Sequence, residues 1–170
     1  MRRRFLALAT LLAALALAAS LPAVAGGRTT EILKAERMVG VPTGLTGATG
    51  AIGSVNGAGL PWVIGESKAV LGVDGSLELK FNDLLFANEA AVPVALRGTN
   101  TQPTMQAGVS CLTIGGTRTA TLTGTFPVTT GAGAGDAKVE VTLNLPSPCI
   151  APIILITNAT GSSWFAATGN

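Results

Sequence analysis

Two short stretches of the chain alternate apolar and polar residues with a period of two. Leu77, Leu79 and Phe81 alternate with Ser76, Glu78, Lys80 and Asn82; Val139, Val141, Leu143 and Leu145 alternate with Lys138, Glu140, Thr142 and Asn144. Only an extended strand, whose successive side chains point to opposite faces, gathers such a set on one side. Each stretch is therefore expected to be a strand with one buried and one wetted face, the pattern of antiparallel sheets. The same logic sets the turn at Val73-Asp74-Gly75. A two-residue turn would put Lys68 opposite Phe81 on the core face, whereas a three-residue loop with Gly75 left-handed pairs Leu71 with Leu77 and Ala69 with Leu79. The second register is the one expected.

Other stretches read as strands are residues 62–72, 105–113, 117–122, 150–157 and 164–168, with a charged, strand-like stretch at 31–39. Residues 84–96 are compatible with a strand or with a helical turn. Short strands, frequent turns and no amphipathic helix predict an all-β fold, an antiparallel β-sandwich of roughly seven to eight strands. The expected organisation is a Gly-rich N-terminal segment at 26–59 and the sandwich domain at 60–170. Within the former, Gly44, Gly47, Gly50 and Gly53 recur every third residue, as in collagen. Four triplets without proline do not hold a triple helix, so a flexible or surface-hugging loop is expected. Residues 150–156 are apolar on both parities, which one-sided burial does not explain. Their outer face is expected to be covered by residues 31–59 or by another subunit. Pro152 predicts a free edge or a bulge at that point.

Residues 1–25 read as a secretory signal peptide. Arg2, Arg3 and Arg4 form a basic start, an uninterrupted Leu/Ala run follows Phe5, and Pro22 precedes Ala23-Val24-Ala25, a small-x-small site with cleavage between Ala25 and Gly26. As an uncleaved anchor the apolar run is shorter than the ~20 residues a spanning helix needs. Arg2 to Leu6 also fits the twin-arginine pattern, although so apolar a run favours the general secretory route. Removing the leader takes three of the 11 Lys and Arg, leaving eight against nine Asp and Glu. The mature chain then offers no basic footprint for nucleic acid or anionic lipid. A secreted, extracellular product with no membrane span after cleavage is expected.

The chain contains no histidine. This removes Ser-His-Asp and Cys-His nucleophile activation, imidazole general-base catalysis and most zinc sites. A carboxylate pair such as Glu66 with Glu78 could serve a hydrolase, but both sit on polar strand positions. Asp74, Asp83 and Asp136 lack calcium-loop spacing. No catalytic, cofactor-binding or metal residues are therefore assigned, and no cofactor is expected. Asn158-Ala159-Thr160 has the form of a glycosylation triplet and is read as a turn. Trp62 and Trp164 are read as buried anchors in preference to binding-surface aromatics.

Four segments carry a resemblance: Gly59 to Ile64, Val109-Ser110-Cys111, Leu145 to Ile153, and Trp164 to Gly169. Together they resemble a group of small, uncharacterised exported bacterial proteins, over residues 59–169. The resemblance implies a β-rich secreted domain with paired cysteines and supplies no activity. Export and an even cysteine count point the same way, to a Cys111–Cys149 disulfide. Cys111 shares parity with Met105, Ala107 and Val109 and should face the core; Cys149 follows the rigid Pro146-Ser147-Pro148 approach. The expected function is a secreted, non-catalytic structural or binding module for an extracellular protein, an envelope polymer or a small apolar ligand. The alternative is a secreted carboxylate-dependent hydrolase.

Overall fold

A computed structural model describes residues 30–168. The leader and the Ala25–Gly26 cleavage site lie outside the described residues. The fold is all-β. In chain order the strands are β1 (Glu31–Ala35), β2 (Met38–Gly40), β3 (Gly47–Ile52), β4 (Val55–Gly57), β5 (Trp62–Val63), β6 (Ser67–Gly72), β7 (Ser76–Phe81) and β8 (Leu85–Phe86). They continue with β9 (Thr99–Asn100), β10 (Thr104–Leu112), β11 (Arg118–Leu122), β12 (Phe126–Pro127), β13 (Gly131–Ala132), β14 (Ala137–Thr142), β15 (Ile150–Asn158) and β16 (Ser163–Thr168). The only helical pieces among the described residues are 3₁₀ turns at Thr43–Leu45 and Val94–Leu96, the latter inside the stretch whose conformation the sequence left open. None of the described helices is long and apolar enough to cross a membrane.

A four-stranded sheet, β1-β6-β7-β14, packs on a larger sheet whose main order is β11-β10-β15-β16-β4-β3, and two short ribbons, β9-β13 and β5-β8, complete the fold. Every pair is antiparallel except β4 with β16. The β6–β7 hairpin has the expected register, Leu71 opposite Leu77 and Ala69 opposite Leu79, with Gly75 at φ +82°. Leu77, Leu79, Leu71 and Phe81 therefore point inward, where they share one core with Met105, Val109, Ile154 and Ile156 of the larger sheet.

Sixteen strands replace the seven or eight expected. Alternation needs about four residues to register as a signal, and many of these strands are pieces of two or three. Residues 62–72 divide at Ile64-Gly65-Glu66 between two sheets, and residues 31–39 divide at Glu36-Arg37. The Gly-rich segment is not a loop: it supplies β3 and β4 at the far edge of the larger sheet. Its glycines permit contacts that no side chain would. A Cβ on Gly50 would lie 1.8 Å from the Leu45 carbonyl oxygen, and Gly53, at φ +63°, sits where a Cβ would be 2.8 Å from the Arg118 oxygen.

That second contact joins the two edges of the larger sheet, because Arg118 opens β11 and Gly53 lies in the β3–β4 turn. The sheet thus curls until its first and last strands touch, and it encloses its own outer face. Leu155, in register with Gly108 and Ala167 on that face, is fully buried, as is Ile154 on the other. The Leu122 side chain lies across Gly108, filling the space its missing Cβ leaves. On the same wall the Trp164 indole donates to the Gly50 oxygen at 2.7 Å. The Gly-rich segment does cover the second face of β15, as part of the same sheet. Pro152 lies in a bulge, where the β10–β15 register shifts between Ser110 and Leu112, so its missing N–H interrupts no ladder bond.

Candidate functional site

The outer face of the four-stranded sheet collects most of the ionisable side chains, and register decides how. Lys68 lies opposite Lys80, and Lys80 opposite Lys138, so one row across β6, β7 and β14 is entirely lysine. Glu36, just past the end of β1, adds an acid at the near end of that row. Two residues along the strands, Lys34 lies opposite Val70, Val70 opposite Glu78, and Glu78 opposite Glu140. Every charge in both rows is exposed.

Charges also pair along the strands. Lys34 Nζ lies 2.9 Å from Glu36, and Lys138 forms an ion pair with Glu140. The hydrogen bond to Glu36 and its charge raise the Lys34 pKa, and the same bond from Lys34 lowers that of Glu36, with a smaller lowering from Lys68. Lys138 is raised likewise, first by its bond to Glu140. These are solvent-screened contacts that hold side chains in place more than they stabilise the fold. Two open grooves flank the rows. One of about 650 Å³ is lined by Glu31, Val70, Ser76, Glu78, Glu140 and Thr142; another of about 830 Å³ runs past Glu36, Arg37, Glu66, Lys68 and Lys80.

The residues singled out from sequence distribute as follows. Cys111 and Cys149 are bonded, Cα atoms 4.9 Å apart, with Cys111 fully buried beside Val109 and Ala107. Trp62 is buried, its ring 4.1 Å from Phe86 and 4.4 Å from Phe165, and Trp164 is buried as well. Glu66 and Glu78 do not face each other. Glu66, just before β6, is four residues from Val70, the partner of Glu78, a separation along the strand of about 13 Å against the ~5 to 9.5 Å a glycosidase pair needs. The carboxylates that do stand directly opposite are Glu78 and Glu140. Neither this pair nor the lysine row is visible in the sequence, although Glu78, Lys80, Lys138 and Glu140 read there as wetted positions.

Asp74 and Asp136 act as acceptors, and Asp83 enters through its backbone N–H. Asp136 Oδ1 accepts the Asp83 N–H at 3.0 Å, and Asp74 Oδ1 accepts from the Ser76 hydroxyl at 2.7 Å and the Ser76 N–H at 3.0 Å, which lowers the Asp74 pKa. No cluster of three or more potential metal ligands occurs among the described residues. Asn158 ties a turn: its Oδ1 accepts from the Ser162 N–H at 2.9 Å and the Thr160 hydroxyl at 3.2 Å, while Nδ2 donates to Ser162 Oγ.

No family model matches the chain. No curated protein and no solved structure matches it either.

Proposed function

We propose that the chain is an exported, non-catalytic binding module that engages an extracellular protein partner through its open sheet face. The observation that carries this reading is the arrangement of the charged rows: they lie along a surface flanked by shallow grooves. Such a surface suits contact with another macromolecule better than enclosure of a reacting group. The Cys111–Cys149 disulfide supports the export half, since such bonds persist in oxidising compartments. The histidine-free composition supports the non-catalytic half.

Photo-crosslinking from Val70 in the producing cell tests the reading. One discrete covalent adduct at the cell exterior supports it, and adducts no more discrete than those from Ile114 on the β10–β11 hairpin count against it. Glu78 opposite Glu140 favours one second reading, a carboxylate-dependent hydrolase. Turnover that survives repurification and disappears in Glu78→Gln would establish that reading.

A further inference from the structure

We infer that the outer face of β1-β6-β7-β14 is self-complementary and pairs with the same face of a second copy of this chain. The inference rests on reading that face as a binding surface and names its partner. Taken from β1 to β14, the first row runs Lys68, Lys80, Lys138, preceded by Glu36, which lies past the paired residues of β1 and near Lys68, or minus, plus, plus, plus. The second runs Lys34, Val70, Glu78, Glu140, or plus, neutral, minus, minus. Apart from Val70, each row is the sign inverse of the other.

A two-fold axis lying across the strands, midway between the rows, keeps strand opposite strand and exchanges the rows. It therefore places Lys80 against Glu78 of the second copy, Lys138 against Glu140, Lys34 against Glu36, and Lys68 over Val70. Each contact occurs twice by symmetry, as an isologous interface requires. An axis along the strands would instead set lysine on lysine, so the pattern selects one orientation.

An independent observation supports the same point. Like charges directly opposite across a sheet weaken it, and this sheet carries three such pairs in succession: Lys68 with Lys80, Lys80 with Lys138, and Glu78 with Glu140. A monomeric face would gain by exchanging Glu78 with Lys80, which breaks up both rows. Within the chain the Lys34–Glu36 and Lys138–Glu140 pairs offset part of that repulsion, and a complementary partner offsets more of it. Four strands about 4.8 Å apart and six residues of ~3.3 Å give a face of about 400 Å² per copy, in the class of weak, transient pairs. Attraction between exposed charges also fades as the Debye length falls from ~30 Å at 0.01 M salt to ~3 Å at 1 M.

Sedimentation of the exported protein over a concentration series tests this. A reversible dimer is expected at 0.01 M salt, weakened about tenfold or more at 1 M. Lys80→Glu, at the centre of the face, should abolish it while leaving the circular dichroism spectrum intact. Combining Glu78→Lys with Lys80→Glu keeps the rows inverse on β7 and should restore it. A monomer at every concentration overturns the inference and leaves the binding-module reading to the crosslinking experiment. A dimer unaffected by Lys80→Glu, or one that the combined exchange fails to restore, overturns it too.

Discussion

Leu155→Ala and Ile154→Ala should destabilise the protein to a similar degree, although adjacent strand residues point to opposite faces. In a flat two-layer sandwich one of them would face solvent and its truncation would cost less than ~0.5 kcal/mol. Here both are fully buried, because the larger sheet curls over its own outer face. Truncating a buried Leu or Ile costs about 2 to 5 kcal/mol, with the upper half reached where neighbours cannot collapse into the space. Leu155 is flanked in register by Gly108 and Ala167, and the Leu122 side chain lying across Gly108 is the neighbour able to shift toward the space. The loss at Leu155 should therefore be about 3 kcal/mol, close to that of Ile154 beside Val109. At about 3 to 4 °C per kcal/mol for a domain of this size, both midpoints should fall by at least about 9 °C. Urea and thermal unfolding followed by circular dichroism measure both quantities. A Leu155→Ala variant within ~0.5 kcal/mol of the parent would refute the enclosed face.

Three further outcomes follow from particular contacts. Replacing Cys111 and Cys149 together with alanine opens a loop with sequence separation 38 and should cost up to about 4 kcal/mol on the chain-entropy model, read as a drop in unfolding midpoint against the unreduced parent. A drop below ~1 kcal/mol would mean that the bond does not constrain the unfolded chain. Gly50→Ala forces the Leu45 carbonyl away and breaks the Trp164–Gly50 bond, so tryptophan emission should shift to the red; unchanged emission contradicts that packing. Asp74 titrates below its ordinary 3.8 because Ser76 donates to its charged form. Its stabilising contribution is therefore complete above 3.8 and is lost as pH falls through the lowered value. Asp74→Ala should be less stable than the parent at pH 7 and equal to it near pH ~2, and a deficit that grows on acidification would reverse this sign.

The parts of the fold legible in sequence are those governed by local pattern. The β6–β7 register followed from parity and one left-handed glycine, and the inward Cys111 from its parity with Ala107 and Val109. The Pro152 bulge followed from a missing donor. What the sequence concealed depends on contacts between distant residues. Gly50 and Gly53 are indistinguishable from loop glycines until Leu45 and Arg118 are placed beside them. The same holds for the surface. Lys80, Lys138, Glu78 and Glu140 were readable as wetted positions. Only the pairing of β7 with β14, which sets Lys80 opposite Lys138 and Glu78 opposite Glu140, aligns like charges into rows.

The proposed export through a leader and the closing of the exported chain by one internal disulfide meet in a single measurement. The intact mass of the protein recovered from outside the producing cell, measured unreduced after treatment with a thiol alkylator, tests both parts at once. The predicted mass is that of the chain from Gly26 onward, less two hydrogens and with no alkyl group attached. A species that retains Arg2 to Ala25, takes up two alkyl groups, or is found only inside the cell would contradict it.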